Sequence, residues 1–147
     1  MSFRDDAWFA GFADGEASFY VQRKRLVSRV PGVRPDGYRY SPGFVLGLRA
    51  DDADVLYALA AEFGGRVQRR PGSGSRRPYL MWYVTGKDDL QGLVAYFDRF
   101  PLRAKKARDY AVWKEAVEIY VAGTASSAGL AELRDRVMAV RQYAEAA

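Results

Sequence analysis

Residues 5–14, Asp-Asp-Ala-Trp-Phe-Ala-Gly-Phe-Ala-Asp, read as a short helix with two sides that both demand burial. Projected at about 100° per residue, Trp8, Phe9, Phe12 and Ala13 fall on one side and Ala7, Ala10, Gly11 and Asp14 on the other. The bulky side suits the chain's own sheet. The small-residue side suits close approach by another backbone, and an interior Gly otherwise costs a helix about 1 kcal/mol relative to Ala. No other segment repeats this pattern, so the expected partner is the same helix of a second chain. That arrangement is a two-fold homodimer with Ala7, Ala10, Gly11 and Asp14 at its interface. Packing of the Ala and Gly residues under a loop of the same chain is the alternative.

Downstream of the helix the periodicity changes to two. In Ala17–Arg25, Phe19 and Val21 face one way while Ser18, Tyr20, Gln22 and Lys24 face the other. The turn formers between Ser28 and Gly43 predict a loop, followed by a strand over 44–49 with Phe44, Leu46 and Leu48 inward. A helix over 52–63 ends at Gly64-Gly65, and a second hairpin joins strands 66–70 and 79–85 through a polar, basic loop. Helices follow over 87–97 and after Pro101, where Tyr110, Trp113, Val117 and Tyr120 share a face. Beyond the break at 123–127 a last amphipathic helix, to about Ala144, carries Leu130, Leu133, Val137 and Val140. The order α-β-β-α-β-β-α-α-α predicts a single α+β domain over 1–147, with residues 1–121 as core. Its antiparallel sheet has helices on one face only.

The bare face then collects Ser18, Tyr20, Gln22, Lys24, Arg49, Gln68, Arg70, Met81 and Tyr83, mixing cations for phosphates with groups able to address base edges. Charge segregation agrees. Of 23 Lys and Arg, fifteen lie in three stretches, 19–40, 66–77 and 103–108, which hold only one of the 18 acids. A polyanion needs such gathering, although solvated loops and an ordinary polar sheet face also produce it. The chain has no Cys and no His, which excludes disulfide scaffolds, zinc fingers, thiol nucleophiles and imidazole bases. Chemistry must come from carboxylates, Lys, Arg or hydroxyl groups.

Two electrostatic anomalies point to such chemistry. Asp14 and Glu16 sit at the carboxyl end of the first helix, where carbonyl dipoles disfavour negative charge. In a dimer two such ends converge, and a pair of hard divalent cations such as Mg²⁺ relieves the repulsion. Arg103, Lys105, Lys106 and Arg108 crowd a helix start, the wrong end for cations unless an anion such as a DNA phosphate faces them.

The stretch Phe9-Ala10-Gly11-Phe12-Ala13-Asp14-Gly15-Glu16-Ala17 resembles the LAGLIDADG motif, and the chain from Trp8 to about Tyr120 is similar to single-motif LAGLIDADG homing endonucleases. The stretch from Pro101 to Trp113 also resembles the family's pattern. The resemblance implies a homodimer that cleaves both strands of a long, nearly palindromic double-stranded DNA site. It implies two or more Mg²⁺ ions per dimer, with Mn²⁺ as a substitute. The motif's eighth, metal-binding position falls on Glu16, and the family's basic residue near the cleavage site falls on Lys105, making these the expected catalytic pair. Asp14, the sixth position, is expected to cap structure rather than react. Two positions depart from the pattern: Ala17 replaces the motif's last Gly, and Ala50 stands near a position that is often polar in the family.

Two other functions are compatible with these residues. One is a non-cleaving DNA-binding regulator or RNA-splicing maturase of the same fold, against which the intact Glu16 argues. The other is a monomeric single-strand or RNA-binding module that stacks bases on Tyr20, Tyr79 and Tyr83. The N-terminal residues lack the apolar core of a signal peptide and no long apolar run occurs, so a cytoplasmic protein without membrane association is expected.

Overall fold

In a computed structural model of the chain, which describes residues 2–25, 37–123 and 127–146, the first helix, α1, runs Trp8–Glu16 instead of starting at Asp5. The acids expected in its first turn lie ahead of it. Phe3–Asp5 form a 3-10 turn because the Glu62 carboxylate accepts from Ser2 Oγ at 2.7 Å, Phe3 N at 3.0 Å and Arg4 N at 3.2 Å. Asp6 Oδ1 then accepts from Trp8 N at 2.9 Å, and the Tyr96 hydroxyl accepts from Ala10 N at 3.0 Å. These bonds satisfy N–H groups that a helix start leaves open.

The burial of α1 also departs from the two-sided projection. Phe9, Ala10 and Ala13 are buried in the chain's own core, with the Phe9 ring against Phe44, Phe63, Trp82, Tyr96 and Phe97. Trp8 is 50% exposed and stacks between Phe3 and Phe12 on the outside. One Phe at the centre of an aromatic core sets the helix rotation, and Trp8 is thereby turned outward. Ala10, packed into the core, lies at the border between it and the outer side of α1.

After α1 come β1 (Ala17–Arg25), β2 (Tyr38–Arg49), α2 (Ala53–Phe63), β3 (Arg66–Arg70), β4 (Tyr79–Val84), α3 (Lys87–Arg99), α4 (Lys106–Ala122) and α5 (Ser127–Ala146). The strands form one antiparallel sheet in the order β1-β2-β4-β3. The α+β architecture is the one expected, with α2 ending at Gly64, whose φ of 85° favours glycine. Residues 28–36 of the expected loop and 124–126 of the expected break lie outside the described residues.

β2 begins at Tyr38, six residues before the expected Phe44, so Pro42 and Gly43 are strand residues. Pro42 is tolerated because β4 pairs with β2 only from Phe44 onward, leaving β1 as its one neighbour there. Gly43 lies under the Tyr20 ring, which occupies the space a Cβ would need, and its carbonyl accepts from Trp113 Nε1 at 2.8 Å. Turn propensity loses here to a specific tertiary fit.

The inward side chains of the sheet, among them Phe19, Phe44, Leu46, Trp82 and Val84, are fully buried under α1, α2, α3 and α4. A second cluster joins Leu130, Leu133 and Val137 of α5 to Val21, Val112 and Ala116. The last helix therefore roofs the outer half of the β1–β2 hairpin, on the helical side of the sheet. Among the described residues no helix is long and apolar enough to cross a membrane.

Glu62 supplies a stability test. Burial pushes its pKa up, but hydrogen bonds from Ser2, Phe3 and Arg4 and the Arg4 charge outweigh this and hold the carboxyl below its ordinary range. A depressed folded pKa means the stabilisation is complete above the unfolded carboxyl pKa of about 4.3 and fades as pH falls through the folded value. Glu62→Gln is expected to lower the melting temperature at pH 7, and the gap from the parent should close toward pH 3. A gap that is constant with pH would sink this account.

Candidate nucleic-acid interface

Register decides which side chains share the open face. Directly paired residues of an antiparallel sheet project to the same side, and the pairs alternate between faces along the strands. Ser18 pairs with Val45, Tyr20 with Gly43, Gln22 with Ser41 and Lys24 with Arg39. Across the other ladders, Val45 pairs with Tyr83 and Tyr83 with Arg66; Gly47 pairs with Met81 and Met81 with Gln68; Arg49 pairs with Tyr79 and Tyr79 with Arg70. All nine residues expected on the bare face therefore lie together, opposite the helical layer.

The same register adds Arg39, Ser41 and Arg66. Arg66 was legible as the residue two before Gln68 on a strand whose Val67 packs inward. Its guanidinium lies 5.1 Å from the Tyr83 ring centroid, and Arg70 donates to Gln68 Oε1 at 3.0 Å and to the Tyr83 hydroxyl at 3.5 Å. β3 and β4 thus carry an ordered cationic and aromatic network. Burial, together with the nearby Tyr83, raises the Tyr20 pKa against the opposing effect of Arg66, so this phenol is neutral at physiological pH.

Glu16 is exposed where α1 passes into β1, and it lines an open groove of about 1000 Å³ with Gly47, Arg49, Met81, Arg76 and Arg77. The groove joins the open sheet face to the end of α1. Lys106 Nζ donates to the carbonyl of Ala17, the residue after Glu16, whereas Lys105 is exposed at the N-cap of α4. Of the two lysines, Lys106 is the one whose ammonium reaches the backbone at the junction of α1 and β1. Adjacent lysines at a helix start point about 100° apart, which sequence spacing alone does not resolve. Ala50 does not line the groove; its N–H donates to the Pro78 carbonyl at 3.1 Å.

Asp14 holds structure together. Its Oδ2 accepts from the backbone N–H of Arg103 at 2.8 Å and of Ala104 at 2.9 Å, which ties the turn before α4 to the last turn of α1. Its Oδ1 is buried with no partner among the described residues. Ala7, Ala10, Gly11 and Asp14 line a second groove, of about 460 Å³, together with Phe100 and Arg103. A Cβ added at Gly11 or at Gly15 would meet nothing within 4 Å, so the outer side of α1 is uncovered by its own chain.

Among the described residues no group of three or more Asp, Glu, His or Cys side chains is gathered to hold a metal ion. The exposed Glu16 carboxylate is the hard-oxygen donor suited to Mg²⁺, which keeps several waters and uses one or two protein carboxylates. Asp52 is a second carboxylate on the wall of the same groove.

An open, cationic sheet face bordered by the Glu16 groove, with an uncovered small-residue helix beside it, is a surface suited to nucleic acid. The chain belongs to the LAGLIDADG endonuclease family, whose model matches residues 9–117. It is 30% identical over 117 residues to probable intron-encoded endonuclease 3 of Neurospora crassa, covering 79% of this chain and 21% of that protein. A probable intron-encoded endonuclease of Schizosaccharomyces pombe, Cox1-I1b, is 23% identical over 141 residues, or 92% of this chain and 34% of that protein. The chain thus spans between a fifth and about a third of these curated relatives. Among solved structures, the homing endonuclease I-TnaI superposes with a TM-score of 0.70 at 28% identity, covering 94% of this chain and 88% of that one. The meganuclease I-SmaMI bound to uncleaveable DNA gives 0.70 at 27% identity, with 88% of this chain and 42% of that one covered.

Proposed function

We propose that the chain is a site-specific double-stranded DNA endonuclease that works as a homodimer through α1, with Glu16 of each copy at the cleavage centre. The observation that carries this reading is the exposed Glu16 in a groove edged by Arg49, Arg76 and Arg77 and continuous with the basic sheet face. Three features support pairing. The outer side of α1 is free of its own chain at Gly11 and Gly15. Asp14 Oδ1 lacks a donor beside that surface. One copy of this chain covers only 42% of I-SmaMI, which leaves room for a second. In this assembly Ala7, Gly11, Gly15 and the Trp8–Phe12 stack meet their symmetry mates, while Ala10 supports them from the core.

The residues divide the work. Glu16 would hold divalent cations, Mg²⁺ with Mn²⁺ as a substitute, and two copies would bring two such carboxylates together. When bound, such ions lower the pKa of water and offset charge on the departing 3′ oxygen. Lys106, which we assign in place of Lys105, keeps a positive charge beside the scissile phosphate while its bond to Ala17 O steadies the end of α1. Arg49, Arg70, Arg76 and Arg77 hold the flanking backbone, and Gln22, Lys24, Gln68 and Tyr83 meet base edges and phosphates outward along each half-site.

The decisive experiment incubates the protein with plasmid carrying the uninterrupted insertion site of its own gene, with and without Mg²⁺. Linear product with 3′ overhangs is expected only with the metal, and an uncut plasmid at saturating protein would refute the reading. Lys106→Met should slow cleavage about 100-fold with affinity changed less than threefold, and Lys105→Met should leave the rate within a few-fold. Arg70→Ala should weaken binding and reduce the slope of log K against log salt by about one. Equal losses of rate in both lysine variants would overturn the assignment of Lys106.

A further inference from the structure

The open face is not uniformly polar. Its outer rows carry the hydrogen-bonding and charged pairs, Gln22 with Ser41 and Lys24 with Arg39 at one end and Arg49 with Tyr79 at the other. The middle of β2 offers only Gly43, Val45 and Gly47 to this face. Both glycines are covered from the side. The Tyr20 ring lies across β2 in the space a Cβ of Gly43 would need, and Met81 Sδ would sit 2.7 Å from a Cβ of Gly47. Between them Val45 is flanked by Tyr83, whose ring face is occupied by Arg66 and whose hydroxyl accepts from Arg70. The centre of the face is therefore a low platform of tyrosine ring, valine methyls and thioether, with the Tyr20 hydroxyl and Ser18 as its polar groups on the β1 side and no Lys, Arg, Asp or Glu between Gly43 and Gly47 of β2 or on β4.

Resting on the proposed function, we infer that this platform reads the 5-methyl group of pyrimidines, chiefly thymine, in the major groove at the inner part of each half-site. The chemistry is selective because the thymine methyl is the apolar feature of a base-pair edge in that groove, where every other feature is a donor or an acceptor. An apolar floor gains contact area from a methyl group and returns nothing for a bare cytosine edge. Charged rows on either side hold the duplex in place by its phosphates. The span from Gly43 to Gly47 is four residues, roughly 13 Å, which matches about four base pairs at a rise of about 3.4 Å each. Glu16 borders the Gly47 end, so this block lies toward the cleavage centre and the Gln22–Ser41 row lies outside it.

The test begins with selection of a randomised double-stranded DNA library on the purified protein. In a recovered site, thymines are then replaced by deoxyuridine in short blocks, and cytosines by 5-methylcytosine. Each methyl removed from the inner block should weaken binding about fourfold. Restoring a methyl on cytosine there should strengthen binding by a similar factor, and deoxyuridine elsewhere should change affinity less than twofold. Met81→Gln should erase the difference between thymine and deoxyuridine at the base pairs nearest the Gly47 end of the block, with the slope of log K against log salt unchanged because no charge is altered. A defined site whose inner block ignores both replacements overturns the methyl-reading platform and leaves the endonuclease reading standing. A library from which no duplex is enriched overturns both.

Discussion

Glu16→Gln is expected to end cleavage, with a loss of at least about 100-fold in rate, while DNA binding is kept or strengthened. The amide removes the anionic ligand at the end of α1 but keeps the size of the side chain. It also removes a negative charge from a groove that faces phosphates between Arg49, Arg76 and Arg77. Glu16 is exposed and sits at a helix carboxyl end, where a negative charge is unfavourable, so the variant should fold at least as stably as the parent. Single-turnover cleavage of the insertion-site plasmid, read beside affinity for the same duplex, checks both halves. Parental cleavage by the variant would remove Glu16 from the chemistry.

Gly11→Leu should produce the second large effect: a folded chain that no longer pairs and no longer cuts both strands. Within the chain a Cβ at Gly11 has open space, and its neighbour Ala10 is the residue packed into the core. A bulky side chain there has no reason to unfold the monomer, yet it separates two helices that must approach through small residues. Ultracentrifugation should find a dimer for the parent and a monomer for the variant, with circular dichroism unchanged and double-strand cleavage reduced about 100-fold or more through loss of the second Glu16. If the variant remains dimeric and active, the two copies do not meet through α1. Lost helicity would show instead that Gly11 is needed inside the chain.

Much of this arrangement could be read from residue order. Strand periodicity placed β1 correctly at both ends, and inward Phe19, Phe44, Leu46, Trp82 and Val84 are all buried. Nine candidate contact residues fall on one face because alternation along each strand is a local, geometric property. The motif around Gly11 and Glu16 was legible too, since small residues and an unbalanced acid at a helix end are anomalies within a few positions of one another.

What failed depended on partners distant in sequence. The start of β2 was missed because Pro42 and Gly43 signal a turn locally, whereas Tyr20 and Trp113 give them their place in the strand. How the start of α4 is anchored was equally out of reach, because Asp14 holds it from about ninety residues away. Trp8 was assigned to the core by a projection that treats all bulky residues alike, but a ring cluster around Phe9 sets the rotation of α1.

From the sequence alone came the element order, the open cationic sheet face and the carboxylate at the end of the first helix, because period, composition and local charge are written along the chain. Which lysine reaches the end of α1, which side of α1 its own chain leaves open and which side chains cover the glycines of β2 were settled only by tertiary structure. Each of these depends on side chains that meet across dozens of residues, and short-range pattern carries no information about such meetings.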